Sequence, residues 1–314
     1  VNCSLLQIFL KNLKLFQENY LDKSFNGSKP IQYPYALAFR SNTGIPTGLD
    51  LNNDEKTLTP EDAFGYGVYP GQYAFAILSK YPLETDSQVT FREFLWKDMP
   101  GAHLPVDEDS TSWYSEEVLE ILRLSSKNHV DIPVTIDDKT IHVLMTHPTP
   151  PGFDGEEDRN GKRNHDEIRL FADYISPEKG AYLYDDKGEP ASLSHNSSFV
   201  VLGDMNADPE AGGSYRNAIN LLLEHPRVHP EPATGNLVPS SEGSKIWHEQ
   251  RPNDSHPAHK TAVFNLRVDY VLPSEDLQLL KSSVFWPAPS DSLSYLTSGD
   301  EGSDHRMVWV DVTW

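Results

Sequence analysis

Phe199-Val200-Val201-Leu202-Gly203-Asp204-Met205-Asn206-Ala207-Asp208-Pro209 is the stretch that decides how this chain is read. Its four leading apolar residues make a run of the length and composition of a buried strand. The run ends in a carboxylate and an amide two residues apart, and the alternation of side chains along a strand aims both to one side at its exit. Fixed oxygen donors of that kind suit a hard cation. Taken alone, the stretch would also serve as an Asx-rich turn closing a buried strand.

Three other stretches end in the same way. Ile141-His142-Val143-Leu144-Met145-Thr146-His147-Pro148 is an apolar run closing on an imidazole. Arg267-Val268-Asp269-Tyr270-Val271 places a carboxylate inside an apolar strand, where it would be costly without a partner. Ser303-Asp304-His305-Arg306 enters the run Met307 to Val312 with an adjacent acid and imidazole, which could hold a metal, orient a base, or meet a phosphate oxygen. Four separate strands that each carry a metal-compatible or acid/base group at an end say more than any one of them.

Around these, Ala74 to Leu78 is a further strand candidate. Ile168, Phe171 and Ile175, and again Tyr215, Ile219 and Leu222, recur at helical spacing and predict two helices with one buried face each. Several strands follow one another without room for a crossover helix. This predicts one domain of two packed sheets flanked by helices rather than a βαβ alternation. The turn-rich stretches 41–60, 226–261 and 288–302 are longer than ordinary connections and read as binding loops.

The chain has 314 residues, with 26 Lys plus Arg against 47 Asp plus Glu, a formal charge of -21. That balance repels a polyanion, so strong duplex DNA binding is not expected. The single cysteine, Cys3, excludes an intrachain disulfide. Leu5 to Leu21 is interrupted by seven polar residues, too many for a bilayer span, and reads as an amphipathic helix.

His147-Pro148, Gly203-Asp204-x-Asn206-Ala207, Asp269-Tyr270 and Ser303-Asp304-His305, in this order, resemble the core motifs of the endonuclease/exonuclease/phosphatase superfamily. Pro70-Gly71-Gln72-Tyr73, Leu78-Ser79-Lys80-Tyr81-Pro82 and the run Asp158 to Arg169 resemble a bacterial, exported subgroup of it. The resemblance implies an α+β fold, a four-layer α/β/β/α sandwich of two packed mixed sheets as in deoxyribonuclease I. It implies a monomeric phosphoester hydrolase, extracellular or periplasmic, in which water attacks phosphorus in line with the help of Mg²⁺, Mn²⁺ or Ca²⁺. In that scheme Asp204 deprotonates or orients the water, and Asn206 fixes the phosphate or that acid. His305 pairs with Asp269 or with the phosphate, Asp304 is a metal ligand, and His147 donates to a phosphoryl oxygen.

The superfamily usually opens with a strand carrying Asn and a second strand ending in a metal-binding Glu, both before the region of Tyr33. Here that region holds only Val1-Asn2-Cys3 and the helical run, so the opening strands are expected to be missing, and Glu18 is the one acidic candidate for the metal. Arg163, in what reads as a charged loop before a helix with Arg159, His165 and Asp166, is assigned to substrate binding. Arg123 is assigned with it, from the segment that also holds Lys127 and His129. The rival to an enzyme is a relative that binds a phosphorylated ligand without turnover. No G-x-S-x-G elbow supports a serine hydrolase.

Overall fold

The five apolar runs all become strands. The computed structural model describes residues 10–25, 27–249, 255–298 and 302–314. Its strands are β1 (Tyr35–Ala38), β2 (Ala76–Ser79), β3 (Val89–Thr90), β4 (His129–Ile136), β5 (Lys139–Thr146), β6 (Ser198–Asp204), β7 (Asp269–Pro273), β8 (Gln278–Val284) and β9 (Val308–Thr313). A five-stranded mixed sheet has the order β3-β4-β5-β6-β7, while β1-β2 and β8-β9 form two separate antiparallel pairs. Only β5 and β6 run parallel in the large sheet, and the crossover this demands carries the long helix Arg159–Tyr174.

The two faces of the large sheet are covered differently. On one, Leu144, Phe199, Val201 and Leu272 pack with Ile168 and Phe171 of the long helix. On the other, Val130, Ile132 and Met145 meet Phe39, Leu37 and Ile77 beside β1-β2. Val134, Ile141 and Val200 meet Leu277 and Val312 beside β8-β9. The result is the expected α+β sandwich, with a second layer made of two antiparallel strand pairs, each joined by a long connection. Each fully buried Phe or Leu in these clusters contributes on the order of 1.5–3 kcal/mol of burial free energy.

Side-chain parity then fixes where chemistry can sit. Leu202 pairs with Met145 in parallel register, and Asp204 pairs with Asp269. Val143, Met145 and His147, then Val200, Leu202 and Asp204, then Asp269 and Val271, are successive even steps along their strands and share the face that meets the two strand pairs. The core-facing rows therefore end in an imidazole and two carboxylates at one end of the cleft between the layers.

Several expectations change. Residues 10–16 and Gln17–Leu21 are helical, as predicted for the part of Leu5 to Leu21 that is described, while Asn2 and Cys3 lie outside the described residues. The second predicted helix breaks into the short turns Tyr215–Asn217 and Asn220–Leu223, because Arg216 and Asn217 take left-handed backbone with φ of 49° and 51°. Arg159, Arg163, His165 and Asp166 are in the long helix itself, not in a loop before it. Among the described residues no helix is long and apolar enough to cross a membrane.

Candidate active site

β6 delivers Asp204 to the cleft through a residue that has to be glycine. Gly203 has φ of +150°, and a Cβ there would lie 1.9 Å from the Thr146 carbonyl oxygen on β5. Beyond it, Asn206 turns left-handed at φ of 50°, its main-chain N–H donating to Asp204 Oδ1 at 2.9 Å. The Asn206 amide Nδ2 donates to the Pro148 carbonyl at 3.1 Å, and buried Lys127 Nζ donates to the same oxygen at 3.0 Å. One carbonyl thus ties the turn after His147 to the turn after Asp204.

Asp269 is set by Thr261, whose hydroxyl oxygen accepts from the Val268 and Asp269 main-chain N–H groups at 3.0 and 3.1 Å. The segment around Thr261 also pairs with the His305 turn: Arg306 N donates to Thr261 O at 2.7 Å and Val263 N to Asp304 O at 2.9 Å. That pairing brings His305 Nδ1 to Asp269 Oδ2 at 2.9 Å, with the Phe264 ring edge-on to the imidazole at 5.4 Å. Asp208 steadies the floor by accepting from Arg267 N at 2.6 Å and from Lys260 Nζ at 3.1 Å.

At the centre, Asp204 Oδ2 lies 3.4 Å from His147 Nε2 and 3.9 Å from His305 Nε2. The electrostatics separate the three groups. Burial, and then the repulsion of Asp269, push the Asp204 carboxyl up to about 6. The Asp269 hydrogen bond holds the His305 imidazole up at about 9, so it carries a proton and donates it to Asp269. His147 goes the other way: burial first, then the charges of Lys127 and His305, keep it neutral well below the ordinary histidine range. A carboxylate poised near neutrality therefore stands between one neutral and one charged imidazole.

His147, Asp204, Asn206, Asp269 and His305 are thus brought together as the sequence reading requires, and Asp304 adjoins them with its side chain exposed. The other candidates are not. Glu18 sits on the exposed N-terminal helix paired with Lys14 at 3.6 Å, and belongs to neither group of converging metal-type ligands among the described residues. Arg163 spends its donors on carbonyls, Nε on Leu124 O at 2.9 Å and Nη2 on Phe64 O and Arg123 O at 2.6 and 2.8 Å. Arg123 donates to Asn42 Oδ1 at 2.6 Å and stacks on Phe64. Both guanidiniums are engaged within the fold and outside the group around Asp204. Lys127 is the basic group that reaches the cleft, only 6% exposed, pushed down to about 8 by burial and held up in part by Glu167 and Asp204. It lies two residues before β4, a strand that the structure buries from its first residue.

The donor atoms of Asp204, Asp269 and His305 all lie within 4.8 Å of one another. Within that set the two carboxylates, Asp204 raised by burial and then by the charge of Asp269, fit a hard divalent cation, which would relieve that repulsion, while His305 stays hydrogen-bonded to Asp269.

The model of the Endonuclease/Exonuclease/phosphatase family matches residues 13–305 of the chain. No curated protein matches the sequence. Among solved structures, an endonuclease/exonuclease/phosphatase from Beutenbergia cavernae is 15% identical with a TM-score of 0.46, over 89% of this chain and 53% of that one. A mutant beta toxin from Staphylococcus aureus with bound magnesium ions is 12% identical with a TM-score of 0.38, over 89% and 74%. Sphingomyelinase C from Streptomyces griseocarneus is 14% identical with a TM-score of 0.34, over 78% and 67%. The chain therefore spans about half the length of the Beutenbergia protein.

Proposed function

The chain belongs to the endonuclease/exonuclease/phosphatase family, and from that premise we propose that it hydrolyses a phosphoester with the help of a divalent cation, Mg²⁺ or in its place Mn²⁺ or Ca²⁺. The observation that carries this reading is the convergence of Asp204, Asp269 and His305, their donor atoms within 4.8 Å of one another, with His147 Nε2 3.4 Å from Asp204 Oδ2. Asp204 and Asp269 would hold the ion, with the exposed Asp304 beside them available to it, and the ion when bound supplies positive charge to the phosphoryl oxygens.

The residues divide the rest. Asp204 takes a proton from the attacking water as its oxygen bonds to phosphorus. Protonated His305 gives its Nε2 proton to the departing ester oxygen as the P–O bond breaks, while Asp269 keeps the ring in place through Nδ1. Neutral His147 donates a hydrogen bond to a non-bridging oxygen as charge grows there. Asn206 and Lys127 act on the positions of these groups through the Pro148 carbonyl. The products are an alcohol and a phosphate, with the water's second proton retained on the phosphate. The charge of -21 favours a small or surface-bound phosphoester over duplex DNA.

The test is turnover of phosphomonoesters and phosphodiesters with and without Mg²⁺, Mn²⁺ and Ca²⁺. Asp204→Ala and His305→Ala should each lower metal-dependent turnover on the order of 10²-fold or more with folding intact. Full activity in both variants would place the chemistry elsewhere. Ligand binding without turnover in the unaltered chain would support the non-catalytic rival.

A further inference from the structure

His103, His165 and Asp166 make a second convergence of ligand atoms, outside the cleft. Asp166 is on the long helix with its side chain 0% exposed, and His103 comes from a segment 63 residues away in sequence. The carboxylate accepts four contacts. Trp96 Nε1 and the His103 main-chain N donate to Oδ2 at 2.8 and 2.6 Å, while His103 Nδ1 and His165 Nδ1 lie 2.8 and 3.0 Å from Oδ1. None of the four comes from a lysine or an arginine.

Arg216 Nη1 is 3.0 Å from His103 Nε2, and a guanidinium can only donate, so Nε2 accepts and Nδ1 is the nitrogen that turns to Asp166 Oδ1. Against the effect of burial, the hydrogen bonds of His165, His103 and Trp96 hold the Asp166 carboxyl below the ordinary carboxylate range. The cluster therefore presents an ionised oxygen and two imidazole nitrogens to one point, a set that can take a cation.

We propose that His103, His165 and Asp166 form a second metal centre, separate from Asp204 and Asp269, that takes a borderline divalent transition-metal ion of the zinc class. Two imidazoles and one carboxylate are a ligand set for such an ion, with a fourth position left to water or substrate. The three donor atoms lie within 4.8 Å of one another. The 2.8 and 3.0 Å spacings need little opening to reach about 3.3 Å, the edge of a tetrahedron with bonds of about 2.0–2.1 Å. Trp96 and the His103 main chain already fix Oδ2 and leave Oδ1 for the ion, the outer-shell support such sites depend on. The Tyr215 ring stands edge-on to both imidazoles, at 5.3 and 5.7 Å, and limits their rotation.

Binding changes the hydrogen bonding of His103. With Nδ1 on the metal, the ring's N–H is on Nε2 and points at Arg216. The exposed Arg216 side chain must turn away into solvent. Arg216 therefore opposes the metal, and its removal should favour it.

The experiment uses the whole chain, stripped with a chelator and titrated with Co²⁺ and Zn²⁺ in the presence of excess Mg²⁺, following Co²⁺ visible absorption and Zn²⁺ calorimetry. The expected result is one equivalent bound that survives Asp204→Ala and falls at least about tenfold in His103→Ala, with Arg216→Ala tightening it. His103 is part-exposed, so that variant should fold, and far-UV circular dichroism checks it; His165→Gln gives a second ligand loss should it not. No Co²⁺ or Zn²⁺ binding under excess Mg²⁺, or binding lost in Asp204→Ala and untouched in His103→Ala, would overturn the assignment. Neither outcome depends on whether the cleft hydrolyses a phosphoester.

Discussion

The fold contains its own acid trigger at His129, the first residue of β4. Its ring lies between Ser125 and the long helix, with Nδ1 at 2.6 Å from the Ser125 hydroxyl, Nε2 donating to the Glu167 carbonyl at 2.8 Å and the Phe171 ring edge-on at 4.9 Å. Burial pushes its pKa from 6.5 down to about 4. The unfolded chain takes up the proton near pH 6.5 and the native chain only near 4. Between those values the unfolded state holds more protons, stability rises with pH, and acidification removes it. Integrated from pH 7.5 to 5, the loss is roughly 2 kcal/mol, reaching about 3 kcal/mol below the native value. Urea denaturation at pH 7.5, 6 and 5 would measure it against His129→Gln, which keeps a donor and an acceptor but cannot titrate. The carboxylates contribute alike to both proteins, so the gap between the two should close by about 2 kcal/mol as pH falls. Equal losses in both would mean that His129 accepts its proton without cost, and the burial argument would fail.

Replacing Arg163 by Met should cost on the order of 3 kcal/mol, because buried carbonyls of Leu124, Phe64 and Arg123 lose their donor, and should leave KM unchanged in the folded fraction; a raised KM at unchanged stability would restore it to the substrate. Gly203→Ala forces the β5 and β6 backbones apart at the site and should lower stability by about 1–3 kcal/mol together with turnover, read by thermal melts and rate assays; a fully active, equally stable variant would contradict the close approach. With Asp204, Asp269 and Asp304 as the acids of the cleft among the described residues, Mg²⁺ should bind weakly, at roughly 10⁻⁴–10⁻³ M by calorimetry. Sub-micromolar Mg²⁺ affinity, lost in Glu18→Ala, would refute this.

The cleft was legible because strands carry an exact periodicity. Once Val200 and Leu202 face a core, Asp204 must follow them, and the same counting places His147 after Met145 and Asp269 beside Val271. What the sequence does not carry is how a side chain's donors are consumed. Arg163 reads as a phosphate binder by type and position, yet its guanidinium closes carbonyls left open by the segment before β4. The helix predicted through Tyr215 fails for a local reason, two left-handed residues that no apolar spacing reveals. His165 and Asp166 drew notice as charges, but their partners Trp96 and His103 come from a segment with no periodic link to the helix. Arg123 and Lys127 share a segment and a charge, and only the turn of the backbone into β4 decides which of them points inward.

The division of the second layer into two strand pairs has a consequence for the site. Among the described residues β1-β2 and β8-β9 do not pair with each other, and the clusters beneath them share Leu83, Val143 and Leu202. Units of this kind open in amide exchange at free energies below that of global unfolding. His305 lies three residues before β9, whereas His147, Asp204 and Asp269 stand on the large sheet itself. His305 is thus held from two sides, by β9 and by the Thr261 segment that pairs with its turn, so any excursion of β8-β9 would load the His305–Asp269 contact before the rest of the cleft.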